Sequence, residues 1–96
     1  MTDIIQGYIS GDLVGFRESV QICKAAKEAD AKVVLIVDNK EGRADSILSI
    51  VQLGITRGKY VMIKVYGSDI MKNLEVLNRI KKILGSMDEM PTRDLT

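Results

Sequence analysis

The hydrophobic residues of this chain change their spacing several times, and the order of those changes limits the folds that the chain can adopt. Apolar residues alternate with others over Ile4–Ile9 and, more clearly, over Tyr60–Tyr66, whereas residues 33–37 form a short apolar run. Alternation is typical of a strand with one solvated face. The run, which is β-branched and apolar on both faces, predicts a central strand.

Two longer stretches have helical spacing instead. One begins at Phe16 and ends at Asp30, with an apolar stripe that includes Val20 and Cys23. The other runs from Ile70 to Leu84, after Gly67 and Ser68 as its capping residues and before Gly85 as its C-cap. Their apolar residues recur every three or four positions with charged residues opposite, which predicts helices lying on a sheet.

A third, short helix is predicted between Ser46 and Gly54. Asp45 and Ser46 are side chains that accept hydrogen bonds from the free N–H groups of a first turn, and Gly54 stands where a left-handed C-cap belongs. Apolar residues cover most of the circumference of this helix: Ile47, Leu48, Ile50, Val51 and Leu53. A short helix on a core needs only one apolar stripe. Part of the surplus must therefore face a partner or water.

With a brief return strand at residues 41–44, the predicted order is βαββαβα in one domain over residues 1–85. That order indicates an α+β fold, an open-faced β-sandwich with one antiparallel sheet and three helices on one face. In the first strand we expect Ile5, Gly7 and Ile9 on one side and Gln6 and Tyr8 on the other. The tail, residues 86–96, has no period and is expected to be disordered. Spacing alone does not separate this fold from a ferredoxin-like fold with an added helix.

Composition excludes several classes of function. The 96 residues include no histidine and one cysteine, so no Ser-His pair, Cys-His pair or imidazole metal ligand exists, and we expect neither an enzyme nor a metal or other cofactor. Fourteen basic and 13 acidic residues give a net charge of +1, which predicts no binding to nucleic acid. No apolar run approaches the ~20 residues of a membrane span, and residues 1–10 have an acid and no apolar h-region, so we do not expect a signal peptide. A cytoplasmic protein is expected.

The short helix carries a family resemblance. Its pattern, Ser-Ile-x-x-apolar-x-x-Leu-Gly from Ser46 to Gly54, is followed by a basic-glycine turn and an apolar strand. This resembles the second helix of HPr, the histidine-containing phosphocarrier of the bacterial sugar phosphotransferase system, and the similarity extends without gaps from Val14 to Leu84. The resemblance implies a sheet order of 1-4-2-3. It also implies regulatory phosphorylation of Ser46 by a serine kinase, and docking of partner proteins on the exposed apolar residues of the helix.

One departure from the family pattern concerns the phosphoacceptor motif, Gly-apolar-His-Ala-Arg-Pro. It falls on residues 13–18, which read LVGFRE, so Arg17 is kept, Gly15 stands at the histidine position and Glu18 at the proline position. Glycine has no side chain that accepts a phosphoryl group. The resemblance therefore implies a non-catalytic regulatory or protein-binding module that binds proteins of the phosphotransferase or carbon-control system. The expected partner-binding residues are Phe16, Arg17, Val20, Leu48, Val51 and Gln52.

Each of these assignments has a structural alternative. Ser46 is also a suitable N-cap, Leu48 and Val51 also suit a core, and Arg17 also suits an ion pair with a neighbouring acid. A function from another class is a small ligand-binding regulatory domain of ferredoxin-like topology, with a metabolite or a second subunit against its sheet. The order of the strands distinguishes the two folds.

Overall fold

The computed structural model describes residues 3–85 and 88–90, and these form five strands and three helices. In chain order they are β1 (Ile4–Ile9), α1 (Phe16–Glu28), β2 (Lys32–Val37), β3 (Lys40–Arg43), α2 (Ile47–Gln52), β4 (Tyr60–Tyr66), α3 (Ile70–Leu84) and β5 (Asp88–Met90). The predicted order βαββαβα is confirmed. Among the described residues, no helix is long and apolar enough to cross a membrane.

The strands form one antiparallel sheet in the order β3-β2-β4-β1-β5. Its first four strands have the predicted order 1-4-2-3. The strand between β1 and β2 is the fourth in the chain, whereas in a ferredoxin-like sheet it is the third, so the ferredoxin-like alternative is wrong.

The fifth strand adds to the edge of β1, where Met90 pairs with Gly7 and Asp88 with Ile9. Residues 86–96 are expected from the sequence to be disordered, whereas Asp88–Met90 is a strand. The rest of that tail, residues 86, 87 and 91–96, lies outside the described residues.

The core lies between one face of the sheet and the helices. On β4, Val61, Ile63 and Val65 are fully buried on this face. Helix α1 packs against both α2 and α3. Gly42 of β3 lies directly under α2, where a Cβ would come 2.9 Å from Cδ1 of Leu53. The absence of a side chain at residue 42 therefore allows α2 to approach the sheet closely.

The alternation in β1 predicts its two sides correctly, but the more apolar side is not the one that faces the helices. Tyr8 is 2% exposed in the core and pairs with Val61, whereas Ile5 is 49% exposed on the open face. The Tyr60 ring lies across Gly7 on the open face, where a Cβ would collide with it. Gly7 is thus buried by an aromatic ring from the neighbouring strand rather than by the helices.

The helix ends follow the predicted chemistry with one change. Gly85 ends α3 in the left-handed conformation, with φ of 63°, as expected. The N-cap of α3 is Asp69, whose carboxylate accepts hydrogen bonds from the backbone N–H of Met71 at 3.0 Å and of Lys72 at 3.3 Å, not Gly67 or Ser68. A carboxylate next to the first turn is favoured there over the shorter serine one residue earlier.

Candidate functional site

Helix α2 buries only part of its apolar surface. Ile50 and Leu53 are in the core, at 0% and 4% exposure, whereas Leu48 is 66% and Val51 40% exposed, and Ile47 lies between these extremes. The alternative that Leu48 and Val51 are core residues is therefore wrong. The surplus predicted for this helix faces solvent.

The first turns of α1, the helix that packs against α2, also carry exposed apolar residues. Phe16 is 70% and Val20 38% exposed, one turn apart. The backbone N–H of Val14 donates to the carbonyl of Ile55 at 2.9 Å, which ties the segment before α1 to the segment after α2. We call the set Phe16, Arg17, Val20, Leu48, Val51 and Gln52 the α1–α2 surface, and all six residues are exposed.

One neighbour of this surface was missed by the sequence analysis. Leu13, in the segment that leads into α1, is 63% exposed. The next residue, Val14, is 6% exposed, so one member of this apolar pair is in the core and the other is in solvent. The apolar pair Leu13-Val14 just before α1 indicates that an apolar residue could lie at this helix end, but the pair does not show which of the two faces solvent.

Ser46 is the N-cap of α2, as predicted. Its Oγ accepts a hydrogen bond from the backbone N–H of Ser49 at 3.3 Å. Asp45 does not share this role: its carboxylate accepts two hydrogen bonds from the Arg43 guanidinium, at 3.0 and 2.8 Å. The hydrogen bond from Arg43 lowers the pKa of Asp45 below its ordinary value. The bidentate pairing available to Arg43 is stronger than one bond to a backbone amide.

The N-terminus of α1 already holds a carboxylate. Gly15 is the N-cap, and its backbone N–H donates to Oε1 of Glu18 at 3.0 Å. On the other side of the same residue, the Ser19 hydroxyl donates to the Gly15 carbonyl at 2.8 Å. Arg17 makes no ion pair with any residue in the described part of the chain, so its pairing with a neighbouring acid is not observed. The positive end of the helix dipole is thus compensated by Glu18.

No arrangement for metal binding accompanies this surface. Within residues 3–85 and 88–90, no group of three or more His, Cys, Asp or Glu residues is placed to hold a metal ion. Cys23 is 5% exposed and belongs to the core. An open groove between the end of α1 and β3 is lined by side chains of both charges, including Lys27, Asp30 and Glu41, and by none of the α1–α2 surface.

Fold and site together define a small open-faced β-sandwich that presents an exposed apolar surface on two adjoining helices. A family model described as the PTS HPr component phosphorylation site matches residues 15–84. The chain belongs to the HPr family of the phosphotransferase system.

Solved structures share this fold. HPr-C-His from Thermoanaerobacter tengcongensis has a TM-score of 0.69 at 21% identity, covering 88% of this chain and 97% of the other. The histidine-containing phosphocarrier protein of Mycoplasma has a TM-score of 0.72 at 15% identity, covering 90% and 99%. A phosphocarrier protein HPr from Bacillus anthracis strain Ames has a TM-score of 0.69 at 25% identity, covering 80% and 94%. A search of curated proteins found no match.

Proposed function

We propose that this protein is a non-catalytic member of the HPr family that binds regulatory partners and does not relay phosphate. The observation that carries the proposal is the absence of histidine from all 96 residues. Phosphoryl transfer in this family requires an imidazole nitrogen, and Gly15, which we place at the histidine position, has no side chain to replace it.

Glu18 supports the same conclusion. Its carboxylate accepts the hydrogen bond from the Gly15 N–H, at the helix end where a phosphate on residue 15 would need free amides. A phosphate at that place would be repelled by a negative charge within the same turn. Arg17 alone remains as an attractive group.

The α1–α2 surface is the proposed binding site. It combines exposed apolar side chains with Arg17 and Gln52, and contacts between a small apolar centre and a polar rim are typical of protein interfaces. The expected partners are proteins of the phosphotransferase or carbon-control system, in the cytoplasm. Ser46, at the edge of this surface, is the proposed target of a serine kinase.

Phosphotransfer tests the first part of the proposal. Incubation with radiolabelled phosphoenolpyruvate and Enzyme I is expected to leave this protein unlabelled, while an authentic HPr in a parallel reaction becomes labelled. Acid-labile label on this chain would contradict the proposal, because it would require a phosphoacceptor other than histidine.

Two variants separate the missing histidine from the obstructing carboxylate. Gly15→His alone is expected to accept little label because Glu18 still occupies the helix end, and Gly15→His with Glu18→Pro is expected to accept more. Equal labelling of the two variants would show that Glu18 does not obstruct the site.

Partner binding tests the second part. Proteins retained by the immobilised chain from an extract of its source organism would be identified by mass spectrometry, and the affinity of each purified partner measured by calorimetry. Leu48→Ala is expected to weaken binding, and Leu74→Ala, an equally conservative change at an exposed leucine of α3, is expected to leave it unchanged. Equal losses in both variants would refute the α1–α2 surface as the binding site.

A further inference from the structure

The open face of the sheet, opposite the helices, is unusually apolar. Along a strand with one face in water, every second side chain points to that face, and those side chains are normally polar. On the three central strands, this face consists of Ile5, Gly7 and Ile9 of β1, Lys32, Val34 and Ile36 of β2, and Tyr60, Met62, Lys64 and Tyr66 of β4. Only the two lysines are charged. Ile5, Tyr60 and Tyr66 are 49%, 38% and 36% exposed.

The charges on this open face are mostly positive. Lys64 lies at its centre, half-buried between Ile5 and Val34, which pair with it from the two neighbouring strands. Lys64 makes no ion pair with another residue in the described ranges. Lys32 lies beside it with its Nζ 6.0 Å from the centre of the Tyr66 ring. On the outer strand β3, Glu41 and Arg43 are at positions of this face and offset each other, and Asp88 of the edge strand β5 pairs with Ile9, four residues along β1 from the Ile5 that pairs with Lys64. A complementary partner is therefore acidic.

The form of the occupant follows from the backbone. The strands β2 and β4 are already paired on both sides, so they offer side chains and no free amides to a ligand on this face. A β-strand added at an edge would not cover it. An amphipathic helix, ~10–12 Å across, spans two to three strands spaced ~4.8 Å apart and buries apolar side chains on such a face.

We propose that the open sheet face binds an amphipathic helix of a partner protein, with apolar side chains against Ile5, Ile36 and Met62 and acidic groups that reach Lys64 and Lys32. A second copy of this chain fits less well, because a two-fold contact centred on this face would bring Lys64 near its own symmetry mate. The six residues after Met90 contain one leucine, too little to cover the face. The α1–α2 surface lies on the other side of the sheet, so the protein is able to hold two partners at once.

Two synthetic helical peptides of about 18 residues, ~27 Å long, test this inference. Both carry the same leucine stripe, flanked by glutamates in one and by lysines in the other. Titrations followed by backbone amide chemical shifts are expected to show binding of the acidic peptide at β1, β2 and β4. Lys64→Glu is expected to lower the affinity for the acidic peptide about tenfold or more and to raise the affinity for the basic peptide. Lys82→Glu, on the exposed side of α3, is the matched control and is expected to change neither affinity.

Several outcomes would overturn the inference. Equal affinity for both peptides, no binding of either, or shifts confined to the α1–α2 surface would each refute a basic docking face. Ile5→Glu provides a second variant if Lys64→Glu unfolds, since Ile5 is half exposed and its replacement is expected to abolish binding of the acidic peptide. Self-association in sedimentation experiments that Ile5→Glu prevents would identify a second copy as the occupant instead. Peptide binding that appears only after removal of residues 91–96 would identify the tail as the occupant.

Discussion

At the residue scale, two residues at the N-terminus of α1 decide the chemistry of that helix end. Gly15, at the position proposed for the imidazole, has no side chain, and the Glu18 carboxylate accepts the hydrogen bond from its backbone N–H. At the N-terminus of α2, Asp45 and Ser46 are both able to cap a helix, but Ser46 accepts from the Ser49 amide and Asp45 accepts from Arg43. In each case the hydrogen bonds within one turn decide what the residue does.

Ser46→Asp is expected to change thermal stability only slightly and to weaken partner binding. Aspartate also accepts N-cap hydrogen bonds, and its charge at a helix N-terminus stabilises by ~0.3–1 kcal/mol at an exposed site. The same charge stands beside Leu48 at the rim of the α1–α2 surface, where it opposes burial. Thermal unfolding and calorimetric titration with an identified partner measure the two effects.

Two further variants complete this comparison. Ser46→Ala removes the cap without adding charge, so it is expected to lower stability by ~0.5–1 kcal/mol while leaving affinity unchanged. Ser68→Asp, which places the same charge before α3, is expected to leave affinity unchanged as well. Equal affinities of wild type and Ser46→Asp would mean that Ser46 is only a cap.

Arg43→Ala is expected to raise the pKa of Asp45 towards its ordinary value, because the guanidinium that stabilises the carboxylate is removed. Asp38, whose pKa is lowered chiefly by a hydrogen bond from Lys59, is the internal control and is expected to be unchanged. Carboxyl titration by NMR measures both pKa values. Because the folded-state pKa of Asp45 is depressed, its stabilising contribution is present above the unfolded pKa and is lost as pH falls through the folded pKa. An unchanged pKa of Asp45 in Arg43→Ala would show that the pair does not persist in solution.

At the scale of elements, α2 has one buried side and one exposed side. Ile50 and Leu53 attach it to the sheet over Gly42, and Leu48 and Val51 face outward. Since one short helix has few residues on each side, a substitution on one side should affect stability and a substitution on the other should affect binding.

Leu53→Ala and Leu48→Ala remove the same atoms from the buried and the exposed side of α2, so they compare the two sides directly. Leu53 is 4% exposed, so its truncation is expected to cost ~2–5 kcal/mol in the free energy of unfolding, whereas Leu48, at 66% exposure, is expected to cost well under that range. Ile47→Ala should fall between them, because Ile47 is partly buried. Urea denaturation measures the differences. Equal destabilisation by Leu48→Ala and Leu53→Ala would place Leu48 in the core and reduce the α1–α2 surface.

At the scale of the whole molecule, β4 joins the parts of the fold that are distant in sequence. It pairs with β1 on one side and β2 on the other, and its inward residues Val61, Ile63 and Val65 are completely buried. β4 is the central strand of the sheet, and the α1–α2 surface and the open sheet face lie on opposite sides of that sheet. Loss of β4 pairing would therefore disrupt both.

Amide hydrogen exchange is expected to be slowest in β4, because its hydrogen bonds open only when both β1 and β2 separate from it. The free energy of opening obtained from these amides is expected to be close to the free energy of global unfolding. Strand β3, short and paired on one side only, is expected to exchange through local opening. Exchange rates from NMR in D2O decide this, and protection in β3 equal to that in β4 would show that the sheet opens as one unit.

The elements themselves were determined by the sequence, because periodicity, caps and turn residues act over a few neighbouring positions. The seven helices and strands from β1 to α3, the Ser46 cap and the outward surplus on α2 all follow from such local patterns. The order of the strands came from the family resemblance, since spacing is the same for the ferredoxin-like alternative.

Tertiary structure alone decided which side of β1 is buried and that β5 forms, and competition between possible hydrogen-bond partners decided that Asp45 pairs with Arg43. Ile5, Gly7 and Ile9 form the more apolar side of β1, yet Tyr8 lies in the core, and the Tyr60 ring covers Gly7 on the open face. The three residues of β5 have no period to reveal them and exist as a strand through pairing with β1. Each of these features depends on contacts between residues distant in sequence or on competition between partners, which a local pattern does not encode.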